Sequence, residues 1–93
     1  MPLVRTLLTT YLDGLPAAIS RMRAAAAAGD GATLKITAHS LKSSSAQLGA
    51  ARLAAVCLQI EHASPDTAVS HFGVLDQEVE AIRPVFEAER DRA

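Results

Sequence analysis

The stretch TAHSLKSSSAQLGAARL, which runs from Thr37 to Leu53, contains the end of one predicted helix, a turn at Gly49 and the start of a second helix. Apolar or small residues recur here at steps of three and four, which is the spacing of one face of an α-helix. Asp30 stands at the N-cap position of the first helix, and Gly49 is a C-terminal stop. The stripe consists of Leu34, Thr37, Leu41, Ser44 and Leu48.

Three further segments have the same helical spacing. One contains Leu8, Leu12, Leu15, Ile19, Met22 and Ala26, the next Leu53, Val56, Cys57 and Ile60, and the last Phe72, Leu75, Val79, Ile82 and Phe86. Asp13, Gly14 and Pro16 interrupt the first segment, so we expect a short or kinked N-terminal helix, and Pro84 is expected to bend or fray the last one. Strand-like alternation is absent. The sequence therefore predicts an all-α fold, an antiparallel up-and-down four-helix bundle forming one domain over residues 1–93.

Composition argues against several classes of function. The chain has 93 residues, a formal net charge of −1 and no long apolar run, so we expect no nucleic acid as partner and no membrane insertion. No export signal is recognisable, which favours a cytoplasmic location. Cys57 is the single cysteine and is expected in the core. The sequence has no glycine-rich phosphate loop and no familiar metal-ligand spacing, so we predict no cofactor and no metal site.

His39 is expected to point to solvent. At about 100° per residue, Leu41 and Leu48 lie roughly 160 to 180° away from it around the helix. An exposed histidine is often only a solvated residue, whereas an unpaired neutral imidazole between two ammonium groups suits a nucleophile that receives a phosphoryl group. Spacing alone leaves both interpretations open. The residues on the same side as His39 are Lys35, Ile36, Lys42, Ser43 and Ala46.

Ser44 and Ser45 occupy the inward flank of this helix, where Leu or Val would be expected. We therefore predict that a neighbouring helix approaches closely, and that each hydroxyl bonds to a carbonyl of its own helix. This arrangement would hold the helix rigidly beneath His39.

The string AHSLKSSSAQLGAARLAAVCLQIE, from Ala38 to Glu61, closely resembles the signature of histidine-containing phosphotransfer (HPt) domains. In that signature Ala-His-x-Leu-Lys-Gly-Ser-Ser leads to Leu-Gly and then to spaced apolar residues with a Leu-Glu or similar ending. The resemblance implies a four-helix bundle with His39 as phosphoacceptor and Lys42 as the lysine that assists the phosphoryl group. Ser43 replaces the usual glycine, and Gln47 stands where the family often has Asn or Gln.

The same resemblance implies a phosphorelay. An aspartyl phosphate on a response-regulator receiver domain would pass its phosphoryl group to His39, which would pass it to a second receiver. A sensor or hybrid histidine kinase would stand upstream, and magnesium and most of the transition-state stabilisation would come from the receiver. The chain would then be a monomeric phosphocarrier rather than an enzyme. Lys35 has no counterpart in the motif, and helix geometry is the reason to expect it on the surface that receivers contact, which consists of Lys35, Ile36, Ser43, Ala46 and Gln47.

Other functions fit the sequence less well. A helical docking module without chemistry is the main alternative, although docking alone needs neither His39 nor Lys42. A haem or metal binder would need a second ligand, and none is evident. His62 and His71 fall near predicted helix ends and are expected to be solvated.

Overall fold

The computed structural model describes residues 2–93, and its four long helices make up most of the chain. Their bounds are Pro2–Ala27 for α1, Gly31–Gln47 for α2, Ala51–Glu61 for α3 and Phe72–Arg92 for α5. A short helix, α4, spans Pro65–Ala68 and continues into a 3-10 turn at Val69–His71. No strand occurs within residues 2–93. The predicted all-α bundle is confirmed, and the short α4 segment is an addition that the apolar spacing did not predict.

α1 is one continuous helix of 26 residues, so the expectation of a short N-terminal helix was wrong, while the expected kink stays a prediction. Gly14 and Pro16 both lie inside it. Proline removes one backbone hydrogen bond, but Pro16 is exposed, so its ring lies toward solvent. On the buried face Leu15 and Met22 are fully inaccessible. Burial of this stripe therefore outweighs the local breakers.

Both ends of α2 follow the sequence signals. The Asp30 carboxylate accepts a hydrogen bond from the backbone N–H of Thr33 at 3.1 Å, which satisfies one of the free donors of the first turn. Gly49 has a φ of +83°, a left-handed conformation that glycine adopts without strain. The N–H of Ala50 then donates to the carbonyl of Ser45 at 2.8 Å. These contacts end α2 and turn the chain directly into α3.

The last two helices are also set by local chemistry. Ser64 caps α4 by accepting a hydrogen bond from Thr67 N–H at 3.4 Å, with Pro65 in the first turn where its missing N–H costs nothing. α5 runs through Pro84 to Arg92, so the fraying expected at Pro84 was wrong, while the expected bend stays a prediction.

Contacts between α1 and α5 show that these helices run in opposite directions. Arg23, near the end of α1, forms an ion pair with Asp76, near the start of α5. The Arg23 guanidinium also lies 5.1 Å from the centroid of the Phe72 ring, a cation–π contact. At the other end, the rings of Tyr11 and Phe86 are 5.7 Å apart. Since three-residue connections join α1 to α2 and α2 to α3, all neighbours are antiparallel.

The core is formed by the predicted stripes. The fully buried side chains of greatest volume are Leu15, Met22, Leu34, Leu53, Ile60, Leu75, Cys57 and Ser45. Cys57 is a core residue, as predicted, and burial raises the pKa of its thiol to about 12, which keeps it protonated. Within the described residues, no helix combines the length and apolar character needed to cross a bilayer.

Candidate functional site

α2 places His39 on the outer surface of the bundle. Its side chain is 59% exposed, whereas Thr37 and Leu41 on the opposite side of the helix are buried. The predicted orientation of His39 is therefore confirmed. The caps at Asp30 and Gly49 fix both ends of the helix, so the backbone under the histidine is well anchored.

The imidazole is not unpaired, contrary to the expectation from the sequence. Nδ1 of His39 lies 3.0 Å from Oε2 of Glu61 on α3. The other carboxylate oxygen, Oε1, accepts a hydrogen bond from Nζ of Lys42 at 2.7 Å. One carboxylate thus joins the two residues of α2 that the sequence singled out. We call His39, Lys42 and Glu61 the triad.

The triad arises from the way α2 and α3 form a hairpin. Residues at similar distances from a tight turn face each other in an antiparallel pair, and His39 and Glu61 lie on either side of Gly49 at comparable separations. Glu61 is the last residue of α3. Its side chain is only 9% exposed, so the carboxylate is held between the helices rather than in open solvent.

Glu61 is a candidate site residue that the sequence analysis did not assign. It is the last residue of the quoted HPt-like string, but helical spacing on α2 cannot reveal a contact with α3. The signal that could have identified it is the position of the only acid in α3 relative to the turn at Gly49.

Electrostatics keeps Glu61 ionised. The hydrogen bond from Lys42 lowers the pKa of the Glu61 carboxyl below its ordinary value, the bond from His39 adds to this effect, and burial opposes it. An ionised carboxylate can only accept hydrogen bonds, so Nδ1 of His39 is the donor. In the neutral imidazole the lone pair is then at Nε2. Such a nitrogen, on a side chain open to solvent, is a competent nucleophile.

Lys42 is less available than the sequence suggested. Its side chain is 25% exposed, and its ammonium is engaged by Glu61. An ammonium has three N–H donors, and Glu61 uses one of them. Within residues 2–93 this ammonium has no other partner, so its remaining donors are free to face an incoming group beside His39.

The other predicted contact residues all lie on the surface of α2. The exposed members are Lys35, Ile36, Ser43, Ala46 and Gln47. Ile36 is 70% exposed, the largest exposed fraction of any large apolar side chain in the part of the chain that the structure describes. Ile36 and Gln47 also line a groove of about 570 Å³ between α1 and α2. The triad does not include any of these five residues.

The two serines beneath the site differ from each other. The Ser44 hydroxyl donates to the carbonyl of Ser40 at 2.9 Å, as predicted. The prediction for Ser45 was wrong, because its fully buried hydroxyl lies 2.7 Å from the Tyr11 hydroxyl of α1. This bond ties α2 to α1 under the site.

The remaining histidines are not members of the triad. His62 is exposed and follows the end of α3, while His71 is half-buried in the 3-10 turn. No group of three or more potential metal ligands occurs in the part of the chain that the structure describes.

Comparison with known proteins agrees with this geometry. Residues 6–84 match the family model of the Hpt domain. No curated protein and no solved structure matches the chain significantly. Because the family match extends over most of the sequence, and because the helical bundle and the exposed histidine fit it, the chain belongs to the Hpt domain family.

Proposed function

We propose that the chain relays a phosphoryl group between receiver-domain aspartates by way of His39. Membership of the Hpt family implies a phosphotransfer role in two-component signalling. The observation that supports His39 most directly is its hydrogen bond to Glu61, which in the neutral imidazole puts the proton on Nδ1 and the lone pair on Nε2 of an exposed side chain. The same geometry disfavours a docking module without chemistry, because docking does not require a fixed imidazole tautomer.

The chemistry needs no proton transfer at the moment of attack. The Nε2 lone pair forms a bond to the phosphorus of a receiver aspartyl phosphate, the bond from phosphorus to the aspartate oxygen breaks, and that carboxylate leaves with the electron pair. The imidazole becomes cationic and keeps its proton on Nδ1, where the Glu61 carboxylate stabilises it. The reverse sequence delivers the group to a second aspartate.

Lys42 has two roles in this proposal. One N–H holds Glu61 in place, and the others are available to phosphoryl oxygens that arrive at His39. Charge-assisted bonds of this kind stabilise the group as it passes between the aspartate and the imidazole. The receiver is proposed to supply the metal and most of the remaining charge stabilisation.

Labelling by phosphorylated receivers tests the proposal. A panel of receivers carrying labelled aspartyl phosphate is mixed with the chain, and label is expected to enter in an acid-labile, alkali-stable form. His39→Gln should abolish it, whereas the matched controls His62→Gln and His71→Gln should retain it. Labelling of His39→Gln, or no labelling of the wild type by any receiver, would reject the proposal.

A second experiment addresses the phosphocarrier assignment. The purified chain mixed with ATP and magnesium should stay unlabelled until a histidine kinase or a phosphorylated receiver is added. Autophosphorylation from ATP alone would contradict this part of the proposal.

The proposed receiver surface is the exposed side of α2 around His39. Ala46→Arg and Ser43→Trp should block transfer, while helix content and the unfolding midpoint stay nearly unchanged because both positions are exposed. Normal transfer rates in both variants would place the contact elsewhere.

A further inference from the structure

Ser43 places a hydroxyl group one turn after His39 on the same side of α2. Residues four apart in a helix have Cβ atoms about 5–6 Å from each other. The Cα–Cβ bond of every helical residue tilts toward the start of its helix, so the Ser43 side chain leans back toward His39. Both side chains are exposed. A group attached to the imidazole would therefore lie within reach of the Ser43 hydroxyl.

The Ser43 hydroxyl is available to bind such a group. A serine inside a helix often donates to a carbonyl of the preceding turn, as Ser44 does to Ser40 at 2.9 Å. The side chain of Ser43 forms no such bond, and it has no other hydrogen-bond partner within residues 2–93. Its O–H donor can thus serve a ligand without breaking a contact of the folded chain.

The bond between His39 and Glu61 turns the imidazole in a direction that suits this contact. Around α2, Lys42 lies about 60° to one side of His39, and Ser43 lies about 40° to the other. Nδ1 of His39 faces Glu61, whose second carboxylate oxygen is bonded to Lys42. The ring edge that carries Nε2 lies opposite the edge that carries Nδ1. A phosphoryl group on Nε2 is therefore directed away from Glu61, toward the side on which Ser43 lies.

The two sides of the site offer two different donors to a phosphoryl group. Such a group has three acceptor oxygens and carries roughly two negative charges at neutral pH. The Lys42 ammonium is a charged donor on the Glu61 side, and the Ser43 hydroxyl is a neutral donor on the other side. The glycine that the HPt signature has at this position offers no side-chain donor. The hydroxyl is therefore an addition of this chain to the motif.

We infer that the Ser43 hydroxyl donates a hydrogen bond to a phosphoryl oxygen once that group is bound to Nε2 of His39. The inference rests on the proposed function and adds a residue that touches the transferred group. No covalent step is added, because the hydroxyl keeps its proton throughout. Since the bond exists only in the phosphorylated chain, it favours phosphohistidine over the aspartyl phosphate of the receiver.

The equilibrium distribution of label between the chain and a receiver that labels it tests the inference. Ser43→Ala should shift the equilibrium ratio toward the receiver by about two- to tenfold, the effect of losing one net hydrogen bond. Ser43→Gly should do the same, whereas Ser43→Thr keeps the hydroxyl and should keep the wild-type ratio. At concentrations where little complex forms, altered docking changes how fast equilibrium is reached but not its position.

Ser20→Ala is the matched control. It also removes an exposed hydroxyl from the interior of a helix, so its effect on helix propensity is the same. Ser20 lies about 140° around α1 from the fully buried Leu15, and its side chain therefore points away from the bundle. The equilibrium ratio should be that of the wild type.

A second measurement needs no receiver. Phosphoramidate donates its phosphoryl group to Nε2 of His39 as its own P–N bond breaks and ammonia leaves, and the ³¹P shift of the product is followed against pH. A hydrogen bond to the dianion favours that form, so the pKa of the phosphoryl group should be higher in Ser43→Ala than in the wild type. Lys42→Ala should raise this pKa as well, because it removes a cation, and Ser20→Ala should leave it unchanged.

The outcomes separate the inference from the proposed function. An unchanged equilibrium ratio or an unchanged phosphoryl pKa in Ser43→Ala would overturn the inference while leaving the relay intact. Equal losses in Ser43→Thr and Ser43→Ala would also overturn it, because the effect would then come from packing and not from the hydroxyl. Failure of every receiver to label the wild type would instead reject the proposed function, and this inference with it.

Discussion

Glu61 accepts a hydrogen bond from His39 across 22 residues of sequence, with Nδ1 of the imidazole 3.0 Å from Oε2 of the carboxylate. The bond links the end of α3 to the middle of α2. Because Lys42 holds the second carboxylate oxygen, Glu61 is fixed from two sides and cannot easily turn away. The tautomer of the imidazole thus depends on the packing of α2 against α3.

Replacement of Glu61 by alanine should slow phosphoryl transfer to His39. Without the carboxylate, Nδ1 has no fixed acceptor, so part of the population carries the proton on Nε2 and cannot attack. We expect the transfer rate to fall about tenfold to a hundredfold, which is the range seen when the hydrogen-bond partner of a metal-binding histidine is removed. Transfer rates check the loss, and long-range ¹H–¹⁵N correlation spectra of His39 check the tautomer. Glu80→Ala, an exposed acid on α5, is the control. A normal rate with a mixed tautomer would refute the role.

Lys42→Ala should also slow transfer, by about tenfold to a hundredfold if a charge-assisted bond of roughly 1.5–3 kcal/mol is lost. The structure shows that the Lys42 ammonium also donates a hydrogen bond to Glu61, so the substitution removes this bond as well as the positive charge beside His39. Lys42→Arg should be milder, since a guanidinium can serve both partners. Stability should fall by about 1 kcal/mol or less, because the side chain is partly exposed. Arg5→Ala, which removes an exposed cation from α1, is the control, and an unaltered rate in Lys42→Ala would remove the role given to it.

The fold could be predicted because the residues that become buried recur at helical spacing within each short segment of the chain. Each helical stripe, from Leu8 in α1 to Phe86 in α5, is a repeated spacing within a few turns, and Asp30 and Gly49 mark ends through their own backbone chemistry. The errors came from weighing local breakers too heavily. Pro16 and Pro84 lie within continuous helices, because the buried stripe on the other side of each helix stabilises more than one missing hydrogen bond costs.

The site could be predicted only in part, for a physical reason. The orientation of His39 is a property of one helix, so spacing within α2 was sufficient to predict it. The bonds from Glu61 to His39 and from Ser45 to Tyr11 join different helices, and they depend on which helices are neighbours and on how far each is shifted along its axis. Spacing within one helix contains no such information.

The stability that Glu61 contributes should depend on pH. Its pKa is lowered in the folded chain, first by the bond from Lys42, so folding favours the ionised form. That contribution is complete above the ordinary carboxyl value of 4.5 and is lost as the pH falls through the lower folded value. The difference in unfolding midpoint between the wild type and Glu61→Gln should therefore be constant near neutral pH and shrink as the pH falls below 4.5.

Denaturant unfolding at several pH values measures this difference, with Glu80→Gln as control. The pKa of Asp30 is also lowered, by its bonds to Thr33. Its effect on stability is the same in the wild type and in both variants, so it cancels in the comparison. A difference between the wild type and Glu61→Gln that stays constant from neutral to acid pH would contradict the prediction.

The bond between Tyr11 and Ser45 should stabilise the bundle under the site. Burial raises the pKa of Tyr11, so its phenol stays protonated, and Ser45→Ala would leave that buried hydroxyl without its partner. We expect a loss of about 1–3 kcal/mol in the free energy of unfolding. Tyr11→Phe should cost less, because the Ser45 hydroxyl can turn to a carbonyl of its own helix.

The double variant should then be more stable than the sum of the single losses predicts, which urea unfolding of all four proteins measures. Ser44→Ala, whose hydroxyl bonds only within α2, is the control and should change stability little. Strict additivity of the two losses would show that the bond contributes nothing to holding α1 against α2.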